Sequence, residues 1–116
     1  MNLRDQSVLV MGMGRSGVSA AKYALSQGAK VVVTDLREDS PHIEGAHHSY
    51  GQHIRTEFLD ADIVIVSPGI PASAPDIQAA QQAGVNVISE LSFAAEILQS
   101  REIPILAVTG TNGKSS

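Results

Sequence analysis

The chain has 116 residues, of which 43% are hydrophobic and 17% charged, with a net charge of −4 and no cysteine. That composition fits one modest globular core; it rules out disulfides and thiolate zinc sites and supplies no basic patch for nucleic acid. No apolar run approaches the roughly 18 to 20 residues of a membrane span, and no basic-then-apolar leader opens the chain.

Five short apolar runs punctuate the sequence, at residues 8–11, 31–33, 63–66, 85–88 and 105–108. They are near-continuous rather than alternating, as strands covered on both faces are. Their starts lie 23, 32, 22 and 20 residues apart, which leaves room for a crossover helix each time. The pattern predicts a Rossmann-like α/β fold, a parallel sheet with helices on both faces. Aromatic residues make up only 3% of the chain, so the core must be built from Val, Ile, Leu and Ala.

The first run feeds directly into Gly12-Met13-Gly14-Arg15-Ser16-Gly17, a G-x-G-x-x-G pattern. Gly12 suits a sharp turn, Gly14 lets backbone approach a diphosphate, and Gly17 lets helix and strand pack closely. Free N–H groups and the dipole at the following helix start favour an anion. The motif says nucleotide more firmly than which nucleotide. A helix is expected over about 16–27, with Val18, Ala20, Ala21, Ala24 and Leu25 as its apolar side and Gly28 as a left-handed cap. The second strand ends at Thr34-Asp35, and Asp35 stands 23 residues after Gly12, where dinucleotide folds put an acid for a ribose hydroxyl. Taken alone, these features also read as the NAD(P)-binding domain of an oxidoreductase or regulatory protein.

Residues 36–60 carry a weak pattern, read as a loop with a short helix or strand in it. The spacing of His42, His47, His48 and His53 matches no helical pair, and no thiol or carboxylate cluster accompanies them. They are expected to be exposed rather than to bind a metal. The third run stops at Ser67-Pro68-Gly69-Ile70-Pro71, whose prolines force a stiff loop at a strand's carboxyl end. Open α/β sheets bind ligands at such ends. A helix over about 74–83 follows, with Ser73 as its cap, Pro75 in its first turn and Gly84 at its end. A last helix, over about 90–100, is expected to carry Leu91, Ala94, Ala95 and Leu98 on one apolar side.

The fifth run leads into Gly110-Thr111-Asn112-Gly113-Lys114-Ser115-Ser116. This reads as a phosphate loop in which backbone N–H groups wrap an ATP phosphate, Lys114 meets the β/γ-phosphates and Ser115 binds Mg²⁺. The strict G-x-x-x-x-G-K-[ST] form fails because Val108 occupies the first glycine position.

Together, G-x-G-x-x-G, S-P-G-I-P and V-T-G-T-N-G-K-S resemble the bacterial Mur ligases over essentially the whole chain. Asn112 is similar to the D-glutamate-adding, meso-diaminopimelate/lysine-adding and folylpolyglutamate ligases and unlike the alanine-adding branch, which normally has histidine there. The first two loops favour the D-glutamate-adding branch, with another Mur or folylpolyglutamate-type ligase as the alternative. The resemblance implies a three-domain ligase that adds D-glutamate to UDP-MurNAc-L-alanine through an acyl phosphate, in peptidoglycan synthesis. Residues 1–90 would be the UDP-binding domain, and residues 91–116 a linker helix and the start of a truncated ATPase domain. It implies Gly14, Arg15 and Ser16 at the diphosphate, Asp35 and Arg37 beside the uridine, and Ser67, Pro68 and Gly69 as a second wall. Residues 110–116 would bind ATP, with Lys114 and Ser115 catalytic and Ser115 on Mg²⁺. The implied partners are small molecules, with no nucleic acid or membrane, and the implied state is a cytoplasmic monomer. Ending inside the phosphate loop, the chain by itself is expected to bind UDP and not to catalyse. Two departures stand out: Ser92 replaces an acid common two positions beyond Glu90, and Ser116 replaces a common threonine.

Overall fold

The computed structural model describes residues 2–71 and 73–100. The fifth apolar run and the phosphate loop, including Gly110, Lys114 and Ser115, lie outside the described residues.

Val8, Leu9 and Val10 are almost completely buried because they form the centre of a sheet covered on both sides. This strand, β1 (Ser7–Met11), pairs in parallel with β2 (Lys30–Asp35) on one edge and β4 (Ile63–Val66) on the other. β3 (His47–Tyr50) extends the sheet beyond β2, and β5 (Asn86–Ser89) extends it beyond β4. The order β3-β2-β1-β4-β5 is all parallel, the Rossmann-like arrangement expected from the run spacing. The chain steps outward from β1 to β3, then returns to β4 and steps the other way. That reversal splays the connections apart at the carboxyl ends of β1 and β4 and opens a crevice there.

Alternate side chains of the strands feed two cores. On one face Val8, Val10, Val33 and Ile65 meet Ala20, Ala21 and Ala24 of α1 (Arg15–Ser26) and Phe93 of α4 (Glu90–Ser100). On the other, Leu9, Met11 and Val64 meet Phe58 of α2 (Arg55–Asp60) and Ile77 and Ala80 of α3 (Pro75–Gln82). Alanines on α1 bring its axis close to the sheet. Gly28 ends that region at φ +86°, the left-handed cap expected of it.

Three local expectations need correction. Residues 36–60 contain both a strand and a helix, β3 and α2, rather than mainly loop. His-His-Ser-Tyr lacks an apolar signature because β3 is an edge strand with only Ser49 fully buried. Second, α3 starts at Pro75 with Ala74 at its cap position and no side-chain capping bond, so Ser73 does not cap it. Third, α4 turns a different side inward. Leu91 and Leu98 are 79% and 57% exposed, whereas Phe93 is buried and packs edge-to-face on Tyr23 of α1, with ring centroids 6.0 Å apart.

Candidate functional site

The glycine loop is built as its spacing requires. Gly12 sits at φ +97° and its N–H donates to the Thr34 carbonyl over 2.9 Å. A Cβ at Gly12 would stand 2.6 Å from Cβ of Ser67, and one at Gly17 would stand 2.0 Å from the Gly12 carbonyl oxygen. Gly17 therefore sets the approach of α1 to β1, and Gly12 the approach of the loop after β4. Gly14 differs: a Cβ there would meet nothing within 4 Å. It occupies the N-cap position of α1, and no side chain caps that helix. Ser16 is the second helical residue, and Gly14, Arg15 and Ser16 are all exposed, so the first turn opens to solvent.

Asp35 braces the loop from the end of β2. Its Oδ2 accepts the Met13 N–H at 2.7 Å and its Oδ1 accepts the Arg37 N–H at 2.9 Å. The Arg37 guanidinium lies 3.6 Å from Oδ1, with its side chain 62% exposed. Burial pushes the Asp35 carboxyl upward, but the two backbone donors and the guanidinium outweigh it and hold it below the ordinary carboxylate range.

Two cavities flank the loop. One of about 220 Å³ is lined by residues at or after the ends of β1, β2, β3 and β4, among them Gly14, Asp35, Leu36, His53, Ser67 and Ile70. The other, about 490 Å³, lies between α1 and α4 and is lined by Ser16, Tyr23, Pro68, Glu90 and Phe93, among others. Of the residues singled out in the sequence, Gly14, Asp35 and Ser67 meet in the first cavity and Ser16 and Pro68 in the second. Arg15, Arg37 and Gly69 are exposed and line neither.

Two residues at the site carried no sequence signal. His53 is half-buried, not exposed, and its Nδ1 lies 2.7 Å from the Thr34 hydroxyl. The same hydroxyl also lies 3.0 Å from the Ser49 carbonyl, to which it donates. Glu90 is 7% exposed, and both carboxylate oxygens are buried without a hydrogen bond of full geometry. Burial drives its carboxyl above the ordinary range, opposed by the nearby hydroxyls of Ser16 and Ser67.

The other histidines are structural neighbours of β3. His48, also half-buried, stacks on His42 at 4.6 Å and accepts the Ile43 N–H. Burial, then the neighbouring His42 and His47, lower its basicity. Among the described residues no three His, Cys, Asp or Glu side chains are grouped to hold a metal. Ser92 is explained by capping: its N–H donates to Oγ of Ser89 at 3.0 Å, and the two hydroxyls are 3.1 Å apart. It stands at the position where a capping box puts an acid.

The family described as "Mur ligase MurD-like, N-terminal domain" matches residues 6–89. The chain belongs to this MurD-like family. It is 38% identical to the UDP-N-acetylmuramoylalanine–D-glutamate ligase of Geobacter metallireducens, over 100% of this chain and 27% of that protein. It is 40% identical to the ligase of the same name from Anaeromyxobacter dehalogenans, over 98% of the chain and 26% of that protein. The chain thus spans about a quarter of the length of the curated relatives it matches. In fold, it is similar to a pseudomurein peptide ligase type C from Methanothermus fervidus (TM-score 0.65, 19% identity, 82% of this chain and 20% of that one). A D-2-hydroxyisocaproate dehydrogenase has a similar fold (TM-score 0.60, 25% identity, 86% of this chain and 33% of that one). The MurD-like domain and a dehydrogenase therefore share one Rossmann-like frame, and the frame alone does not decide the ligand. Among the described residues no helix is long and apolar enough to cross a membrane.

Proposed function

We propose that this chain is the UDP-substrate-binding part of a ligase that joins D-glutamate to UDP-MurNAc-L-alanine, using ATP and Mg²⁺. The observation that carries this reading is the uncapped start of α1 beside Gly14, open to solvent at the reversal of strand order in a MurD-like domain. A diphosphate fits such a place because backbone N–H groups and the helix dipole both favour an anion.

In this reading residues 1–90 hold the UDP end of the substrate, and residues 91–116 link to and begin the ATPase domain. Gly14, Arg15 and Ser16 lie along the diphosphate, Asp35 and Arg37 beside the uridine, and Ser67, Pro68 and Gly69 along the opposite wall. Asp35 has a further task, bracing the loop through Met13, and its remaining lone pairs are free to accept from a ligand. The exposure of Arg15 and Arg37 suits side chains that fold over a bound anion. Residues 110–116 take the ATP phosphates: Lys114 offsets charge on the phosphoryl group that moves to the substrate carboxylate, and Ser115 holds Mg²⁺. The UDP end lies remote from that chemistry and contributes binding energy that positions the carboxylate. Cytoplasm is the compartment where ATP and a nucleotide-linked sugar are both at hand, and a monomer suffices for this scheme.

Titration of the 116-residue chain with UDP, ATP and NAD tests the reading. UDP is expected to bind, ATP to bind weakly, and NAD to give no response. Tight NAD binding with no response to UDP would return the glycine loop to a nicotinamide domain.

A further inference from the structure

Glu90 is a buried acid that the substrate reading leaves unused. It opens α4 at the carboxyl end of β5, is 7% exposed, and has no hydrogen bond of full geometry to either oxygen. Among the residues lining the cavity between α1 and α4 it is the one that carries charge; Tyr23 is the other titratable group. Among the described residues, no ammonium or guanidinium lines that cavity to neutralise it. Glu90 shares that cavity with two different segments, Ser16 at the start of α1 and Pro68 of the loop after β4, and the hydroxyls of Ser16 and Ser67 on those segments favour its ionised form. A carboxylate buried so far is destabilising unless donors reach it. Rotation of the two hydroxyls toward it is the nearest available compensation.

We infer that Glu90 is a positioning residue of the substrate cleft: its carboxyl takes the hydroxyls of Ser16 and Ser67 and holds the glycine loop and the S-P-G-I-P loop at one separation. The functional consequence rests on the UDP reading, since those loops are the walls assigned to the diphosphate. A purely electrostatic role would have the opposite signature. A negative charge near the diphosphate repels it, so removing the charge would then tighten UDP.

The test is UDP titration of the full-length protein and its variants. Glu90→Ala is expected to weaken UDP by about tenfold, the effect of losing one well-formed polar link. Glu90→Gln is expected to stay within about threefold of wild type, because its amide oxygen still accepts from a hydroxyl. Ser67→Ala should weaken UDP in the wild-type background and by clearly less in the Glu90→Ala background, where only its own wall contact is lost. Amide exchange without ligand gives an independent readout at the hydrogen-bonded amides of Gly12, Val18, Ser67 and Ile70. Glu90→Ala should speed exchange in both loops together. Tighter or unchanged UDP binding in Glu90→Ala, strictly additive costs with Ser67→Ala, or unchanged exchange would each overturn the inference. If wild type does not bind UDP, the functional reading fails, and the exchange experiment alone decides whether the loops are coupled. Should Glu90→Ala not fold, a Ser16→Ala and Ser67→Ala cycle replaces it: sub-additive costs support the coupling and additive costs overturn it.

Discussion

Asp35 and Glu90 are both acids at strand ends beside the same crevice, yet they sit in opposite electrostatic states. Asp35, whose side chain is 14% exposed, receives two backbone N–H groups and a nearby guanidinium, and its carboxyl is held below the ordinary range. Glu90, with two hydroxyls near it and no cation among the described residues, is pushed above. The number and rigidity of donors, more than depth, decides which form of a carboxyl the fold prefers. Backbone donors are fixed by β1, β2 and their turns, so the Asp35 side of the crevice is braced directly. Hydroxyls rotate, so the Glu90 side is held more softly.

The largest effect comes from removing the frame both sides share. A Cβ at Gly17 would lie 2.0 Å from the Gly12 carbonyl, which is backbone and cannot swing aside. Gly17→Ala must push α1 off β1, and the expected loss is more than about 3 kcal/mol by chemical denaturation. A variant as stable as wild type would mean that α1 has another docking position on the sheet.

Asp35→Ala tests the braced side by itself. It leaves the Met13 and Arg37 N–H groups without their acceptor, for an expected loss of about 2 kcal/mol. Asp35→Asn keeps one acceptor and should lose about half as much. The pH signature follows from the lowered carboxyl. Its stabilisation is fully present above the ordinary value of 3.8 and is lost as pH falls from there through the folded value. The gap between wild type and Asp35→Ala should therefore narrow below about pH 4. A gap independent of pH down to 2 would show that the charged form is not what braces the loop.

Most of the braced side was legible in the sequence, because glycine spacing and strand-end position follow directly from backbone geometry. Gly12 makes the turn and Gly17 the close helix–strand approach that their spacing foretold, and a Cβ at Gly14 would meet open space. The position of Asp35 was legible too, but not its hydrogen bond to Met13, which depends on how β2 is registered against β1. β3 and His53 were hidden because an edge strand of His-His-Ser-Tyr needs little apolar surface. The softer side was misread through α4. Leu91, Ala94, Ala95 and Leu98 outnumber Phe93 and Ile97 in a count of apolar residues, yet the Ser89–Ser92 cap sets the helix start and Tyr23 waits on α1 for an aromatic ring. That rotation also carries Glu90 inward. Its burial is a tertiary consequence that no local pattern encodes.

Glu90→Gln sharpens the contrast with the opposite sign. Since burial raises the Glu90 carboxyl, ionisation weighs against the fold. The penalty is absent below the ordinary value of 4.5, grows as pH rises toward the folded value and is constant above it. Glu90→Gln should match wild type at pH 4 and exceed it near pH 8, by an amount that the two hydroxyls keep small. Lower stability than wild type at both pH values would indicate that the ionised carboxyl is fully satisfied.

The smallest effect concerns the rest of α4 and separates its two sides. Leu91 follows Glu90 directly, but its side chain is 79% exposed, and Leu98 is 57% exposed. Little apolar area returns to water when either becomes serine, so each substitution should change the stability of the 116-residue chain by less than about 0.5 kcal/mol. Their helical neighbour Phe93 is buried against Tyr23, so one turn of helix carries both extremes. A loss of about 2 kcal/mol in Leu91→Ser would mean that α4 is rotated from this position. Glu90 would then no longer face Ser16 and Ser67, and its contrast with Asp35 would disappear with it.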